Sequence, residues 1–377
     1  MDIFNKEEIH TEIEIFQQPD VWIKVFELIK SSKGELFQFL APILSDKKTS
    51  ILLTGAGSSA FIGEALKLAI ARATERFTTA IPTTDLVTHP ELTGHATKDS
   101  KLVISFARSG NSPESVETVH LLDQRHNNIK HLFITCNKDG KLAKLAAVNS
   151  EKYYCLTLPE ETNDKSLAMT SSFSSMLLAA LLVFNLDHLE ENKEAMLHVS
   201  KISSNLLSRK ETWKKIGSLP FGRAVFLGSG SLLGIANECH LKLQELSSGH
   251  VVCKHDSFLG FRHGPRAVVD SDTLIVYLLS HEEKTSKYEK DLADTISSDS
   301  GYLAAVHVGN VQHKNARDYA IPFDKLENDS IGLSILPYLL VGQLIGLYKS
   351  LDLGLNPDNP STNGSISRVV KGVNIYK

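Results

Sequence analysis

A short glycine-containing segment occurs twice in this chain, each time between a predicted strand and a predicted helix. Residues 53–58 read LTGAGS and residues 226–231 read FLGSGS, and the interval from Gly55 to Gly228 is 173 residues. Similar helical sequences follow, EALKL at 64–68 and ECHLKL at 238–243. A repeat with this period in a 377-residue chain predicts two similar domains rather than a solenoid of short units.

Short apolar runs alternate with helical segments around each copy of the glycine segment. This alternation predicts an α/β fold built on doubly wound parallel sheets. A long helical stretch over about residues 169–207, with a turn near 185–192, separates the two series. The predicted strands are residues 51–54, 102–107, 131–136, 153–158, 224–227, 274–279, 303–308 and, more weakly patterned, 318–323. The predicted helices are residues 60–73, 113–125, 142–147 and 331–350.

The domain organisation follows from this alternation. Residues 1–48 carry apolar residues at helical spacing, interrupted at Pro19, and are predicted to form a helical extension. Residues 49–204 and 205–377 are predicted to form the first and second α/β domains.

Composition excludes several classes of protein. Lys and Arg number 40 against 44 Asp and Glu, so no basic excess favours nucleic-acid binding. Four scattered cysteines without a CxxC pair argue against a disulfide framework or a structural zinc site. The acidic start lacks the apolar region of a secretory signal, and the apolar runs 176–184 and 335–347 are shorter than a bilayer requires. We therefore expect a cytoplasmic protein without a membrane segment.

The first glycine loop, with Gly57, Ser58 and Ser59, has three interpretations. Its GxGxxA spacing fits a dinucleotide fold, in which glycines allow close approach of a pyrophosphate to a helix N-terminus. The serines also fit a loop that holds a single phosphate or a sugar, or they simply cap a tight turn. A dinucleotide fold requires an acidic residue about 20 positions later, and Glu75 is present but lies in a helical pattern.

Two further polar turns favour the small-anion interpretation. One follows the next strand and carries Arg108, Ser109 and Ser112 before a proline at a helix start, and the other carries Thr170 and Ser171 where the long helical stretch begins. Because the carboxyl ends of parallel strands share one edge of a sheet, turns that follow these strands should converge on one ligand, although each serine could also be a simple helix cap.

Glu238, Lys242 and Glu245 are spaced at i, i+4 and i+7, which places them on one face of the helix after the second glycine loop. This spacing alone is typical of a solvated face, since Glu and Lys four residues apart form a good surface pair. His263 in the segment FRHGP at 261–265 would by itself be a surface loop histidine.

The serine and glycine turns, repeated in order in both halves, resemble the sugar isomerase (SIS) domain family from residue 49 onward. The arrangement of the two halves is similar to the isomerase half of glucosamine-6-phosphate synthase. Further segments, SFARSGNSPE at 105–114, FRHGP at 261–265 and NPDNP at 356–360, look most like galactosamine-6-phosphate deaminase/isomerase, also called tagatose-6-phosphate ketose/aldose isomerase. The resemblance implies that Ser59, Ser109 and Ser112, with Arg108, Thr170 and Ser171, hold the sugar phosphate.

The resemblance also implies the chemistry. Glu245 is then the base that transfers a proton between C1 and C2, with Glu238 and Lys242 in support. His263 is then the group that opens the sugar ring, contributed by a neighbouring subunit of a homodimer or larger assembly. Lys371 in the C-terminal tail matches a lysine of the synthase site, although tail lysines are usually solvated.

The expected activity is deaminating isomerisation of an amino sugar 6-phosphate, most simply galactosamine 6-phosphate to tagatose 6-phosphate and ammonia. The alternatives are a glucosamine-6-phosphate deaminase, a simple aldose/ketose phosphate isomerase, or a non-catalytic sugar-phosphate sensor. The expected partners are the sugar phosphate and further copies of the chain, and no nucleic acid or membrane is expected. No cofactor is implied, and no metal-binding pattern such as HExxH is present.

Overall fold

The structure is a computed structural model of the chain. It describes residues 8–94, 100–299, 301–311, 315–327, 329–370 and 373–376.

Fourteen α-helices are present in this described part of the chain. They are α1 His10–Phe16, α2 Gln18–Ser31, α3 Lys33–Leu44, α4 Ser58–Thr74, α5 Thr83–Thr88, α6 Pro113–Arg125, α7 Lys141–Val148, α8 Ser171–Val183, α9 Lys193–Leu207, α10 Lys210–Gly217, α11 Ser231–Leu246, α12 Phe258–Phe261, α13 Glu283–Ser298 and α14 Leu336–Asp352.

Ten strands form two parallel five-stranded sheets, with the orders β2-β1-β3-β4-β5 and β10-β9-β8-β6-β7. Counted along the chain within each sheet, both orders are 2-1-3-4-5. The strands are β1 Ser50–Thr54, β2 Thr78–Ala80, β3 Lys101–Ala107, β4 Ile129–Thr135, β5 Tyr153–Thr157, β6 Arg223–Leu227, β7 Val252–Asp256, β8 Thr273–Leu279, β9 Ala304–Gly309 and β10 Tyr319–Pro322. The predicted α/β class with two parallel sheets is therefore confirmed.

The sequence prediction missed β2 and β7, which are edge strands. β2 has three residues, and β7 reads VCKHD without an apolar run. The predicted domain boundary at 204/205 falls inside α9, which continues to Leu207. The domain limits themselves stay a prediction.

Helices α4 and α11 pack closely and run antiparallel across the junction of the two sheets. Gly234 in α11 faces Ala65 in α4, and a Cβ on this glycine would lie 2.4 Å from the Ala65 backbone nitrogen. At one end of the pair the Lys242 side chain reaches Ser58, and at the other end Gly230 lies near Leu68. The last turns of each helix therefore lie over the carboxyl edge of the other sheet.

The N-terminal helices connect both halves of the chain to the C-terminal segment. Trp22 is fully buried, and its indole N–H donates to Ser174 in α8. Gln18 in α2 donates to Gln343 in α14 at 2.6 Å. Asp358 accepts hydrogen bonds from the backbone of His10 and from the backbone and hydroxyl of Thr11. The extension is thus part of the packed body of the protein.

One helical segment, Leu333–Asp352, is long and apolar enough to cross a membrane by length and composition, but 94% of that window is buried inside the protein. Helix α14 packs against α10 and α11. Its apolar surface is covered by the rest of the chain, as expected for a core helix.

Candidate active site

Each glycine loop turns from the end of a strand into a helix through a glycine with positive φ. Gly57 before α4 has φ 57° and ψ −131°, and Gly230 before α11 has φ 59° and ψ −126°. Residues with a Cβ rarely adopt this conformation, which explains the glycine at both positions. Neither helix has a side-chain cap on its first turn in the described part of the chain.

The ammonium group of Lys242 is the centre of a buried polar cluster between the two halves of the chain. Its Nζ lies 3.1 Å from the Ser58 hydroxyl, 2.5 Å from Glu245 Oε2 and 3.3 Å from Glu238 Oε1. The Lys242 and Glu238 side chains are each 1% exposed, whereas the Glu245 side chain is 23% exposed. Glu245 is therefore the acid of this cluster that a ligand can reach. The solvated salt-bridge face that spacing alone suggested is wrong for Glu238 and Lys242.

Burial separates the protonation states of the cluster. Burial raises the pKa of Glu238 to about 8, although the nearby Lys242 opposes the shift. Burial alone would lower the pKa of Lys242, but Glu238 and Glu245 raise it above its usual value. At neutral pH Lys242 therefore keeps its charge beside Glu245, while Glu238 holds its proton.

The loop after β3 contains the serines that the sequence assigned to phosphate. Ser112 is the N-cap of α6, and its Oγ accepts a hydrogen bond from the backbone N–H of Ser115 at 3.3 Å. The Ser109 hydroxyl accepts from the backbone N–H of Asn111 at 3.3 Å. Asn137 donates to the Ser109 carbonyl at 2.8 Å, which fixes the loop against the end of β4. Both serines are partly exposed at the carboxyl edge of the first sheet.

Arg108 differs from the expectation of a substrate-binding cation, because protein carbonyls engage its guanidinium group. The residue is 8% exposed. Its guanidinium donates to the carbonyl oxygens of residues 166–168 at 3.1–3.4 Å and to the Arg368 carbonyl. Arg108 therefore ties the β3 loop to the segment before α8 and to the C-terminal tail.

The turn before α8 also binds an anion, but the anion is a side chain of the protein. The Asp164 carboxylate accepts from the Thr170 hydroxyl at 3.0 Å and from the backbone N–H groups of Thr170, Ser171 and Ser172 at 2.8–3.0 Å. The Ser171 hydroxyl donates to the Glu14 carbonyl at 2.6 Å. Thr170 and Ser171 are fully buried, so the structure assigns them to positioning rather than to direct contact with a ligand.

Asp164, Glu14 and Arg368 shape this region, and the sequence analysis did not identify them. Glu14 accepts hydrogen bonds from the segment before α8, and burial together with Asp164 raises its pKa to about 7. Arg368 donates to the Asp164 carbonyl at 2.7 Å and to Asn163 at 2.8 Å. The sequence signal for Asp164 was weak, because a capping residue seven positions before the start of its helix follows no short motif.

His263 lies far from Glu245 within one chain. The segment that carries His263 packs along α13, where Arg262 pairs with Asp291 and Arg266 with Asp299. Phe261 shares an apolar cluster with Leu292 of α13, whereas α11 packs in a different cluster on the opposite face of the second sheet. Glu245 lies in the last turn of α11. The His263 side chain is exposed. Lys371 lies outside the described residues. In the described part of the chain no group of three His, Cys, Asp or Glu side chains could hold a metal ion.

Comparisons with known proteins agree with this arrangement. The SIS domain family matches residues 43–186. D-galactosamine-6-phosphate deaminase AgaS of Shewanella sp. (strain ANA-3) is 40% identical over 372 residues, which cover 96% of this chain and 90% of that protein. Tagatose-6-phosphate ketose/aldose isomerase from Escherichia coli superposes with a TM-score of 0.89 at 35% identity, covering 98% and 96% of the two chains. A protein from Clostridium novyi NT superposes with a TM-score of 0.92 at 38% identity, covering 98% and 95%.

Proposed function

This chain belongs to the family of D-galactosamine-6-phosphate deaminases, and from that premise we propose that it converts D-galactosamine 6-phosphate and water into D-tagatose 6-phosphate and ammonia. The observation that carries the proposal is the cluster around Lys242, in which Glu245 alone of the two carboxyl groups is accessible. A non-catalytic sensor does not need a buried lysine and a protonated glutamate behind an accessible carboxylate.

Glu245 is the proton-transfer base in this proposal. Once the sugar ring is open, the Glu245 carboxylate removes the proton at C2 and returns it to C1. The resulting ketimine at C2 adds water and releases ammonia, leaving the ketose phosphate. One carboxylate can serve both adjacent carbons, and general acid–base catalysis contributes about 10²–10⁴-fold. Lys242 orients Glu245 through their ion pair. Glu238, which is protonated, lies beside this pair without adding a second negative charge.

The phosphate group is proposed to bind at Ser109 and Ser112, beside the N-terminus of α6. Helix N-termini and serine hydroxyls suit a phosphate dianion. Ser58 and Ser59, with Gly57 before them, then lie along the sugar between the phosphate loop and Glu245. The positive charge of Arg108, held behind the loop, favours an anion there without contacting it.

The test is ammonia release by the purified protein from galactosamine 6-phosphate and, separately, from glucosamine 6-phosphate. We expect faster release from the galacto sugar, with tagatose 6-phosphate as the second product. Glu245→Gln should lower kcat by at least about 10²-fold. The matched control is Glu211→Gln, which removes a carboxylate from another Lys–Glu pair, at 2.7 Å in α10. No ammonia from either sugar would reject the deaminase, and a fully active Glu245→Gln enzyme would reject the base.

We further propose that the active enzyme is a homodimer or larger assembly, acting in the cytoplasm, in which His263 reaches the site of a neighbouring subunit. The support is the separation of His263 from Glu245 within one chain and the exposure of His263. Glu245→Gln and His263→Ala proteins, each inactive, should regain about one quarter of wild-type activity when mixed in a dimer. If the mixture stays inactive after subunit exchange is verified, the proposal that His263 acts in the neighbouring subunit's site is wrong. Lys371 and the domain limits 49–204 and 205–377 remain part of the proposal.

A further inference from the structure

A second cleft, of about 580 Å³, lies at the carboxyl edge of the second sheet. The loops that follow β6, β8 and β10 line it, together with the last turns of α4. Strands β6 and β8 are neighbours in the sheet although β7 lies between them in the chain. Open parallel sheets bind ligands at such a switch point, outside the carboxyl ends of the strands.

The second cleft is the counterpart of the proposed active site across the α4/α11 pair. The active site combines the start of α4 with the last turns of α11, and the second cleft combines the start of α11 with the last turns of α4. The 173-residue offset of the glycine loops aligns Ala65 with Glu238, Ala69 with Lys242 and Arg72 with Glu245. The second cleft therefore lacks the acid–base group and has a cation in its place.

Two cations line this cleft without a protein partner. In the described part of the chain, neither Arg72 nor Lys325 has a hydrogen bond or an ion pair, and both are exposed. The acids that line the cleft are partly engaged. Asp329 accepts hydrogen bonds from the backbone N–H groups of residues 332–334 at 2.6–3.0 Å. Glu282 is exposed and accepts from the Thr285 hydroxyl at 3.2 Å. The two carboxylates thus already accept hydrogen bonds from the protein, whereas the Arg72 and Lys325 side chains keep all their donors available to a ligand.

The polar groups of the cleft suit a ligand that carries hydroxyls. Ser229, Ser231 and Ser280 line it, and α11 begins there without a side-chain cap in the described residues. Strand register aligns Thr54 with Ser105 and Leu227 with Tyr277, which places His281 where the first domain has Ser109. Nε2 of His281 is buried without a hydrogen-bond partner. Burial lowers the pKa of His281, so this ring is neutral at pH 7.

We propose that the second cleft binds a phosphate monoester of a polyol, with Arg72 and Lys325 holding the phosphate, and that it performs no chemistry on this ligand. The hydroxyl-bearing loops and His281 face the polyol, while Leu68, Leu232 and Tyr338 supply apolar contact for its carbon chain. This site is distinct from the one that contains Glu245, and its existence does not depend on the reaction proposed there.

The test is calorimetric titration of the full chain with D-glucitol 6-phosphate, an acyclic probe that has neither an amino group nor a carbonyl group to react. We expect two binding events per chain. Arg72→Ala combined with Lys325→Ala should weaken one event at least tenfold, because each substitution removes a charged hydrogen-bond donor. Ser109→Ala combined with Ser112→Ala should weaken the other event. Lys67→Ala is the matched control on α4, since Lys67 pairs with Glu64 at 2.6 Å outside the cleft.

Loss of one event in the Arg72/Lys325 variant, with that same event retained in the Ser109/Ser112 variant, supports the proposal. The absence of binding up to about 10 mM probe, or binding that the Arg72/Lys325 substitutions leave unchanged, overturns it. A parallel titration with inorganic phosphate tests whether the cleft recognises the polyol chain as well as the phosphate. Equal affinity for inorganic phosphate at this cleft refutes recognition of the polyol chain.

Discussion

Replacement of Lys242 by methionine tests the electrostatic account of the active site. Methionine fills a similar volume with an unbranched apolar chain, so the main loss is the ammonium group. That group lies 2.5 Å from Glu245 and 3.3 Å from Glu238. Removing one partner of a buried ion pair costs about 3–5 kcal/mol. The lower end applies here, because Glu245 is 23% exposed and Glu238 can stay protonated.

The expected loss of about 3 kcal/mol in unfolding free energy corresponds to a fall of about 4 °C in the thermal midpoint, because a 377-residue chain has an unfolding entropy of about 0.8 kcal/mol/K. The loss should grow at the upper end of the pH range, above about pH 8. Glu238 has a raised pKa in the folded protein, so its contribution to stability falls as pH rises from about 4.5 to about 8. Without Lys242 that pKa rises further, and the fall continues above pH 8.

The assay is thermal unfolding followed by circular dichroism between pH 5 and pH 9, with ammonia release measured on the same samples. Lys349→Met is the matched control. Lys349 is another buried lysine, and it donates to the Leu219 carbonyl at 2.7 Å and lies 3.4 Å from Asp352. It should cost about 1–2 kcal/mol without a pH trend and leave turnover unchanged. If the two variants lose the same stability, or if the Lys242→Met deficit is independent of pH, the charge cluster described here is wrong.

Three further outcomes follow from single residues. Gly57→Ala and Gly230→Ala should each cost about 1–3 kcal/mol in unfolding free energy through backbone strain. Only Gly57→Ala should reduce ammonia release, and equal activities of the two variants would contradict this. Glu14→Gln should make the thermal midpoint fall less between about pH 4.5 and about 7, because the raised pKa of Glu14 beside Asp164 makes folding less favourable as pH rises through that window. An unchanged slope of the midpoint against pH would contradict the buried carboxyl pair. Ser109→Ala should raise KM about tenfold with little change in thermal midpoint, since its hydroxyl accepts one hydrogen bond from the loop itself; an unchanged KM would remove Ser109 from the phosphate site.

The sequence determined the elements whose patterns are local. The apolar runs of the central strands and the proline at the first position of α6 predicted those elements closely, with α6 found at Pro113–Arg125 as expected. The spacing of Glu238, Lys242 and Glu245 placed them on one helical face before any fold was known. The edge strands β2 and β7 were not predicted, because they gain their stability from pairing with a neighbouring strand rather than from their own apolar content.

Only the tertiary structure decided which face of α11 is buried and what each polar group contacts. The face with Lys242 is buried because Gly234 lets α11 approach α4, which brings the lysine to Ser58 from the other half of the chain. The serines before α8 looked like an anion site, and they are one, but Asp164 occupies it. Sequence spacing predicts which residues share a face of one helix, whereas the burial of Lys242 depends on its contact with Ser58, 184 positions away in the chain.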